Sequence, residues 1–142
     1  MKSRYEFANR LADRVFDIIQ PDIVNAGGVS EMFKIGHMAN AFGVHFHPHF
    51  WGTGISLSAT LHVVACLPSN PPSDCPEPYI NQSVVEFDPR PIRFGRISPP
   101  VFDQENSHIA VPASPGLGID VIEAEAHRFL ADGLSSPIRI GT

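Results

Sequence analysis

Cysteine and tryptophan are scarce in this chain of 142 residues: Cys66, Cys75 and Trp51 are all it holds of the two types. The cysteines lack CxxC spacing. One falls in an apolar helical stretch and the other in a Pro-rich loop, so both read as free thiols of a reducing compartment rather than as a disulfide framework. Basic charge is short too, with 10 Lys and Arg against 15 Asp and Glu and a net charge of −5. That balance excludes nucleic acid or an anionic membrane surface as a main partner. No apolar run approaches the roughly 20 residues that span a bilayer. Met1-Lys2-Ser3-Arg4-Tyr5-Glu6 has no signal-peptide core, so the expected location is cytoplasmic. No internal repeat is visible beyond an alternation of short apolar runs with helical stretches. What is present, 43% hydrophobic residues with mean hydropathy near zero, excludes a disordered chain and suits one α/β domain.

The most informative stretch runs from Phe16 to Phe50. Phe16-Asp17-Ile18-Ile19 is short, β-branched and closed by Gln20-Pro21-Asp22, which predicts a buried strand ending in polar residues. Gly27-Gly28 then breaks the chain. Ser30 is a plausible N-cap, and Met32, Phe33, Ile35, Gly36, Met38, Ala39 and Phe42 recur at helical spacing up to a stop at Gly43. A second strand follows over Val44 to His47, tipped by Pro48-His49. Strand, crossover helix and strand make a βαβ unit, whose strands are parallel and whose carboxyl ends lie together. Asp22 and His49, 27 positions apart (49 − 22), are therefore expected to be neighbours. A carboxylate there can orient and charge-stabilise an imidazole. A plainer alternative has Asp22 capping the turn before Gly27-Gly28 and His49 in a surface loop.

His45, His47 and His49 alternate and would share one strand face. Three imidazoles on one face can hold zinc or iron. Metal sites usually recruit several elements, however, so a metal reading ranks second. Around this stretch, Arg4 to Arg14 reads as an amphipathic helix and Ile55 to Leu67 as a helix rich in Ala, Leu and Val that packs His62. Phe50-Trp51-Gly52-Thr53-Gly54 reads as a tight strand-to-helix turn beside the candidate site. The 14 prolines crowd Pro68 to Pro78 and Pro89 to Pro100, marking two long loops. Ser83 to Asp88 is the third expected strand. Glu86 stands near its end and Asp88 is its competitor, since a slip of one residue exchanges their faces. Pro115-Gly116-Leu117-Gly118 is a sharp turn with too few glycines for a phosphate loop. Glu123 to Leu130 reads as a last short helix and Leu134 to Thr142 as a loose tail.

Four stretches in order, IIQPDIVNAGGVSEMFKIGHMANAFGV, HPHFWGTGISLSATLHVVACLP, VVEFDP and VPASPGLGIDV, resemble the carboxyl-terminal part of the mandelate racemase and muconate-lactonizing branch of the enolase superfamily. The resemblance covers about Ser3 to Leu130. It implies an α/β fold: the C-terminal part of a (β/α) TIM-type barrel, about three βα units and a closing segment, incomplete as a barrel. The expected domain is 1–142, with a helix over 1–15, the βαβ core over 16–50, helix, loop and last strand over 51–88, and the closing segment, short helix and tail over 89–142.

By the same resemblance His49 is the base or acid, Asp22 its orienting partner, and Glu86 the group that hydrogen-bonds a substrate carboxylate or enolate. Trp51 and His47 would contact substrate. The implied reaction is Mg²⁺-dependent removal of the α-proton of a carboxylate. Dehydration of a sugar acid is favoured over a mandelate racemase-like racemisation, which needs a second base on the opposite face. A muconate cycloisomerase-like or dipeptide epimerase-like protein would carry a lysine after the first strand, and Asp22-Ile23-Val24-Asn25 has none. The family's metal ligands fall on earlier strands, so no metal ligand is expected in this chain. The chain alone is therefore expected to be inactive, and to be a homo-oligomer or to associate with a missing amino-terminal half. A non-catalytic interaction subunit is the remaining alternative.

Overall fold

A computed structural model describes residues 1–69, 84–87, 104–105 and 107–127. Cys75, Asp88, most of both proline-rich loops and the expected tail lie outside them. The elements run α1 (Arg4–Ala12), β1 (Ile18–Ile19), α2 (Val29–Ala41), β2 (His45–Phe46), α3 (Gly54–Cys66), β3 (Gln104–Glu105), β4 (His108–Ile109) and α4 (Glu123–Ala126).

β1 and β2 are parallel, with Ile18 opposite His45 and Ile19 opposite Phe46. The ladder outlasts the two-residue strands: the amides of His45, His47 and His49 donate in turn to the carbonyls of Asp17, Ile19 and Pro21 at 2.9, 3.0 and 3.1 Å. One bond every second residue is the even spacing of a parallel pair. The segment 84–87 continues the order, because the Glu86 amide donates to the Pro48 carbonyl at 3.0 Å. β3 and β4 form a separate antiparallel pair, inside the stretch 89–142 where the sequence suggested a closing segment, a short helix and a tail but no strands.

The alternation of strand side chains divides the unit into two faces. Ile19 and Phe46 are buried with Phe7 and Leu11 of α1, Met32 and Ile35 of α2, and Val63 of α3. Ile18, Gln20, His45, His47 and His49 occupy the other face and are exposed or half-buried. Parallel strands with helices on one side and polar strand ends on the other are the layering of a βα-barrel wall.

The entry to α2 differs from expectation at its cap. Gly28, at φ 85° and ψ −170°, is the N-cap and Ser30 lies inside the first turn. The Gly28 carbonyl already accepts from the Met32 amide at 3.0 Å, so the helix begins as soon as the glycine has turned the chain. Across α1 and α2, the Glu31 carboxylate takes Arg4 Nη1 at 2.5 Å and Lys34 Nζ at 2.9 Å. The Lys34 hydrogen bond, and then the charges of Arg4 and Lys34, hold Glu31 below the usual carboxylate range against its partial burial.

α3 packs apolar and small polar residues together. Thr60 Oγ1 bonds the Ser56 carbonyl at 2.8 Å, and both the Ser58 hydroxyl and His62 Nε2 reach the Leu117 carbonyl, the latter at 3.4 Å. His62 is thus a half-buried packing residue that pins the segment around Leu117. Cys66 is an exposed free thiol. Among the described residues no helix is long and apolar enough to cross a membrane.

Candidate active site at the strand ends

Four residues beyond Ile18 and four beyond His45, the β1–β2 register is intact: Asp22 and His49 form an isolated parallel bridge. The 27-residue separation is closed by the crossover helix, as the βαβ reading requires. Their side chains nevertheless make different bonds. Asp22 Oδ1 accepts from the amides of Val24 and Asn25, both at 2.9 Å, and from Asn25 Nδ2 at 3.2 Å. It therefore closes the turn that leads to Gly27-Gly28, as an Asx turn does. The Ala26 amide on the Asp22 carbonyl at 2.8 Å tightens the same turn.

His49 is paired instead with Glu86. Its Nδ1 lies 2.5 Å from Glu86 Oε2, both side chains being about half exposed. A carboxylate oxygen accepts, so His49 Nδ1 is the donor of this pair. The same Glu86 oxygen receives the side-chain amide of Gln20 at 3.5 Å. Glu86 thus reaches the site, although residues 84–87 do not form the strand expected over Ser83 to Asp88 and are joined to the Pro48 carbonyl by the Glu86 amide. Gln20 is the residue that sequence reasoning missed. The available signal was the two-residue period of β1, which places Gln20 between Ile18 and Asp22 on the same face.

His47 lies one step deeper on that face, with its ring centroid 5.6 Å from that of His45. Its Nε2 is buried and has no hydrogen-bond partner. Burial, and secondarily the charge of His45, push its titration below the ordinary imidazole value of 6.5. Phe50 is buried, whereas Trp51 is 65% exposed at the head of the turn into α3, where a flat aromatic surface is available to a ligand. Gly52 accommodates the turn, because a Cβ there would stand 2.7 Å from Ser56 Oγ.

A metal centre finds no support in this set. Among the described residues no group of three or more His, Cys, Asp or Glu could hold a metal ion. One oxygen of each carboxylate at the strand ends is taken, Asp22 Oδ1 by the Asn25 turn and Glu86 Oε2 by His49 with Gln20. Mg²⁺, which requires several oxygen ligands, is not fitted by these residues. The recesses of about 700 Å³ beside α1 and about 480 Å³ between α3, segment 84–87 and β4 are not lined by Asp22, His49 or Glu86.

Parallel strands that bring imidazole and carboxylate together at their carboxyl ends define an α/β protein with acid–base groups where such folds carry chemistry. The chain belongs to the enolase C-terminal domain-like family, whose model matches residues 1–125, and its fold is part of a TIM-type barrel. An arabinonate dehydratase of Saccharolobus solfataricus is 37% identical over 119 residues, covering 84% of this chain and 29% of that protein. A D-galactarolactone cycloisomerase of Agrobacterium fabrum is 36% identical over 121 residues, covering 83% and 30% respectively. Among solved structures, a mandelate racemase/muconate lactonizing enzyme from Jannaschia sp. CCS1 superposes with a TM-score of 0.72 at 28% identity, over 94% of this chain and 31% of its own. The chain thus spans about 30% of the length of the curated relatives it matches.

Proposed function

We propose that this chain supplies the acid–base end of a sugar-acid dehydratase site, completed by the remaining strands of a barrel. The observation that carries the reading is the placement of His49 in register with Asp22 and in hydrogen-bond contact with Glu86 at the strand ends. With Nδ1–H held by Glu86, His49 Nε2 takes the α-proton of a carboxylate substrate, and the C–H electron pair becomes the double bond of an enediolate. The imidazolium then returns a proton to the β-hydroxyl, which leaves as water. The resulting enol tautomerises to a 2-keto-3-deoxy acid. One imidazole on one face suffices for this sequence of steps, whereas racemisation calls for a second base.

Asp22 holds the turn on which the strand ends rest, and the half-buried ring of His47 and the exposed face of Trp51 are the groups we assign to substrate contact. The likeness to an arabinonate dehydratase and a D-galactarolactone cycloisomerase supports a sugar acid or its lactone as the ligand class. Mg²⁺, which the resemblance implies, is left to residues other than those described, and the steps assigned above use this chain's side chains alone.

A chimera tests the reading. The 119-residue matching stretch of the arabinonate dehydratase is replaced by that of this chain, and arabinonate is followed to its 2-keto-3-deoxy product. The chimera is expected to turn over, and His49→Asn to lower kcat about a hundredfold or more, as loss of a general acid–base does. A folded chimera whose activity survives His49→Asn would show the chain to be a non-catalytic partner of the barrel.

A further inference from the structure

α3 carries two neighbouring pairs of side chains at i, i+4 spacing, and each pair meets a different part of the chain beyond it. Leu57 and Leu61 join Phe50 in a small apolar cluster on which Val85, Phe87 and Ile109 pack. Ser58 and His62 both donate to the Leu117 carbonyl, the second from Nε2 at 3.4 Å. We propose that these two donors are positioning residues: they fasten the closing segment across α3, and the fastened segment holds residues 84–87, and with them Glu86, at the strand ends.

Ser58 carries the first step, because its side chain is fully buried. A buried hydroxyl without a partner costs free energy. A helix offers a local remedy, which Ser56 and Thr60 take by bonding the Thr53 and Ser56 carbonyls, both at 2.8 Å. Ser58 instead bonds a carbonyl 59 residues further on. Its hydroxyl is thus satisfied across the fold rather than along the helix, and the Leu117 side chain packs on the main core beside the same contact.

Rigidity carries the fastening from Leu117 back to Ile109. Gly118, at φ 68°, lies so close to Pro112 that a Cβ there would stand 2.5 Å from the proline Cβ. Its amide donates to the Pro115 carbonyl at 3.3 Å. Residues 112–118 therefore close on themselves as one turn, and Pro112 is three residues from Ile109 (112 − 109). Ile109 shares the small cluster with Val85 and Phe87, the half-buried neighbours of exposed Glu86. The Glu86 amide, on the Pro48 carbonyl at 3.0 Å, then ties this segment to the strand ends. The consequence for catalysis rests on the site proposed above, whereas the mechanical link is observable without turnover.

Hydrogen exchange of the 142-residue chain, read by mass spectrometry at single-amide resolution, tests the link. Ser58→Ala is expected to speed exchange of the Gly118 and Glu86 amides about tenfold, the effect of one lost buried hydrogen bond. The amides of α1 and α2 should stay within about twofold. Thr60→Val, at an equally buried position whose hydroxyl bonds within the helix, should leave all of these amides within about twofold. A Glu86 amide whose exchange Ser58→Ala does not change overturns the proposal. So does a rise as large in α1 and α2, or an equal rise in Thr60→Val.

In the chimera, Ser58→Ala should lower kcat about fivefold, and should lower it no further once Glu86→Gln is present, because the two changes act through one group. Losses that multiply independently would mark a general loss of stability and overturn the positioning role. A chimera that never turns over, with the Ser58-dependent exchange of the Glu86 amide intact, strikes the proposed function and leaves this assignment standing.

Discussion

His47 shows how one side chain on the site face couples stability to pH. Its Nε2 is buried without a partner, and burial, followed by the charge of His45, depresses its titration below 6.5. In the unfolded chain the same ring takes up a proton as pH falls through about 6.5, the ordinary value for histidine. The folded chain declines that proton until a lower pH. Unfolding is therefore favoured progressively from pH 6.5 downward, and the penalty stops growing once the folded ring is protonated as well. The urea midpoint should fall between about pH 7.5 and pH 5.5, and fall less in His47→Leu, which has nothing to protonate. Equal losses in the two proteins would show that His47 is not the group responsible.

The same residue scale marks what could be read in advance at the site. That Asp22 and His49 stand together follows from a parallel crossover alone, needing no knowledge of rotamers. Which carboxylate His49 chooses does not. It depends on Asp22 finding the Val24 and Asn25 amides closer to hand and on the third segment bringing Glu86 within reach. Both are matters of side-chain direction that residue spacing does not encode.

At the scale of elements, the entry to α2 is the joint on which the site turns, since one short loop joins Asp22 to the helix that packs β1 against β2. Gly28 stands at φ 85° with open space where a Cβ would go. Gly28→Ala is thus a test of backbone conformation without a packing complication. At ψ −170° this region is nearly closed to other residues, and the substitution should cost about 1–3 kcal/mol. Gly43, at φ 67° and also without neighbours, is an ordinary left-handed position past the end of α2, where alanine costs about 1–2 kcal/mol. Thermal melts should rank Gly28→Ala as the less stable protein, and the reverse order would refute the idea that the α2 entry is the tighter constraint.

The elements also separate what was legible from what was not. Helical spacing revealed α1 and α2, and a run rich in Ala, Leu and Val revealed α3, to within a few residues, because all three pack on one shared core. The cap was expected at Ser30 and stands at Gly28, because two adjacent glycines let the helix start earlier. The β3–β4 hairpin was missed for a different reason. Its strands have two residues each, too few to display alternation, and its turn uses Ser107 at φ 62° where a glycine would have been the signal.

For the molecule as a whole, the exposed apolar residues along β1 and just before it argue for a partner. Val15, Phe16 and Ile18 are exposed at 52, 38 and 47%, and among the described residues β1 pairs only with β2. An unpaired parallel edge beside apolar side chains tends to find another chain. Charge offers weak resistance, since a net −5 is spread over the whole surface and screened within about 10 Å at 0.1 M salt. Sedimentation of the 142-residue chain should therefore show species heavier than its 15.5 kDa. Ile18→Lys, which places a charge on the exposed edge, should shift the distribution toward the monomer. A monodisperse monomer that Ile18→Lys leaves unchanged would contradict this argument, since the exposed β1 edge would then need no covering.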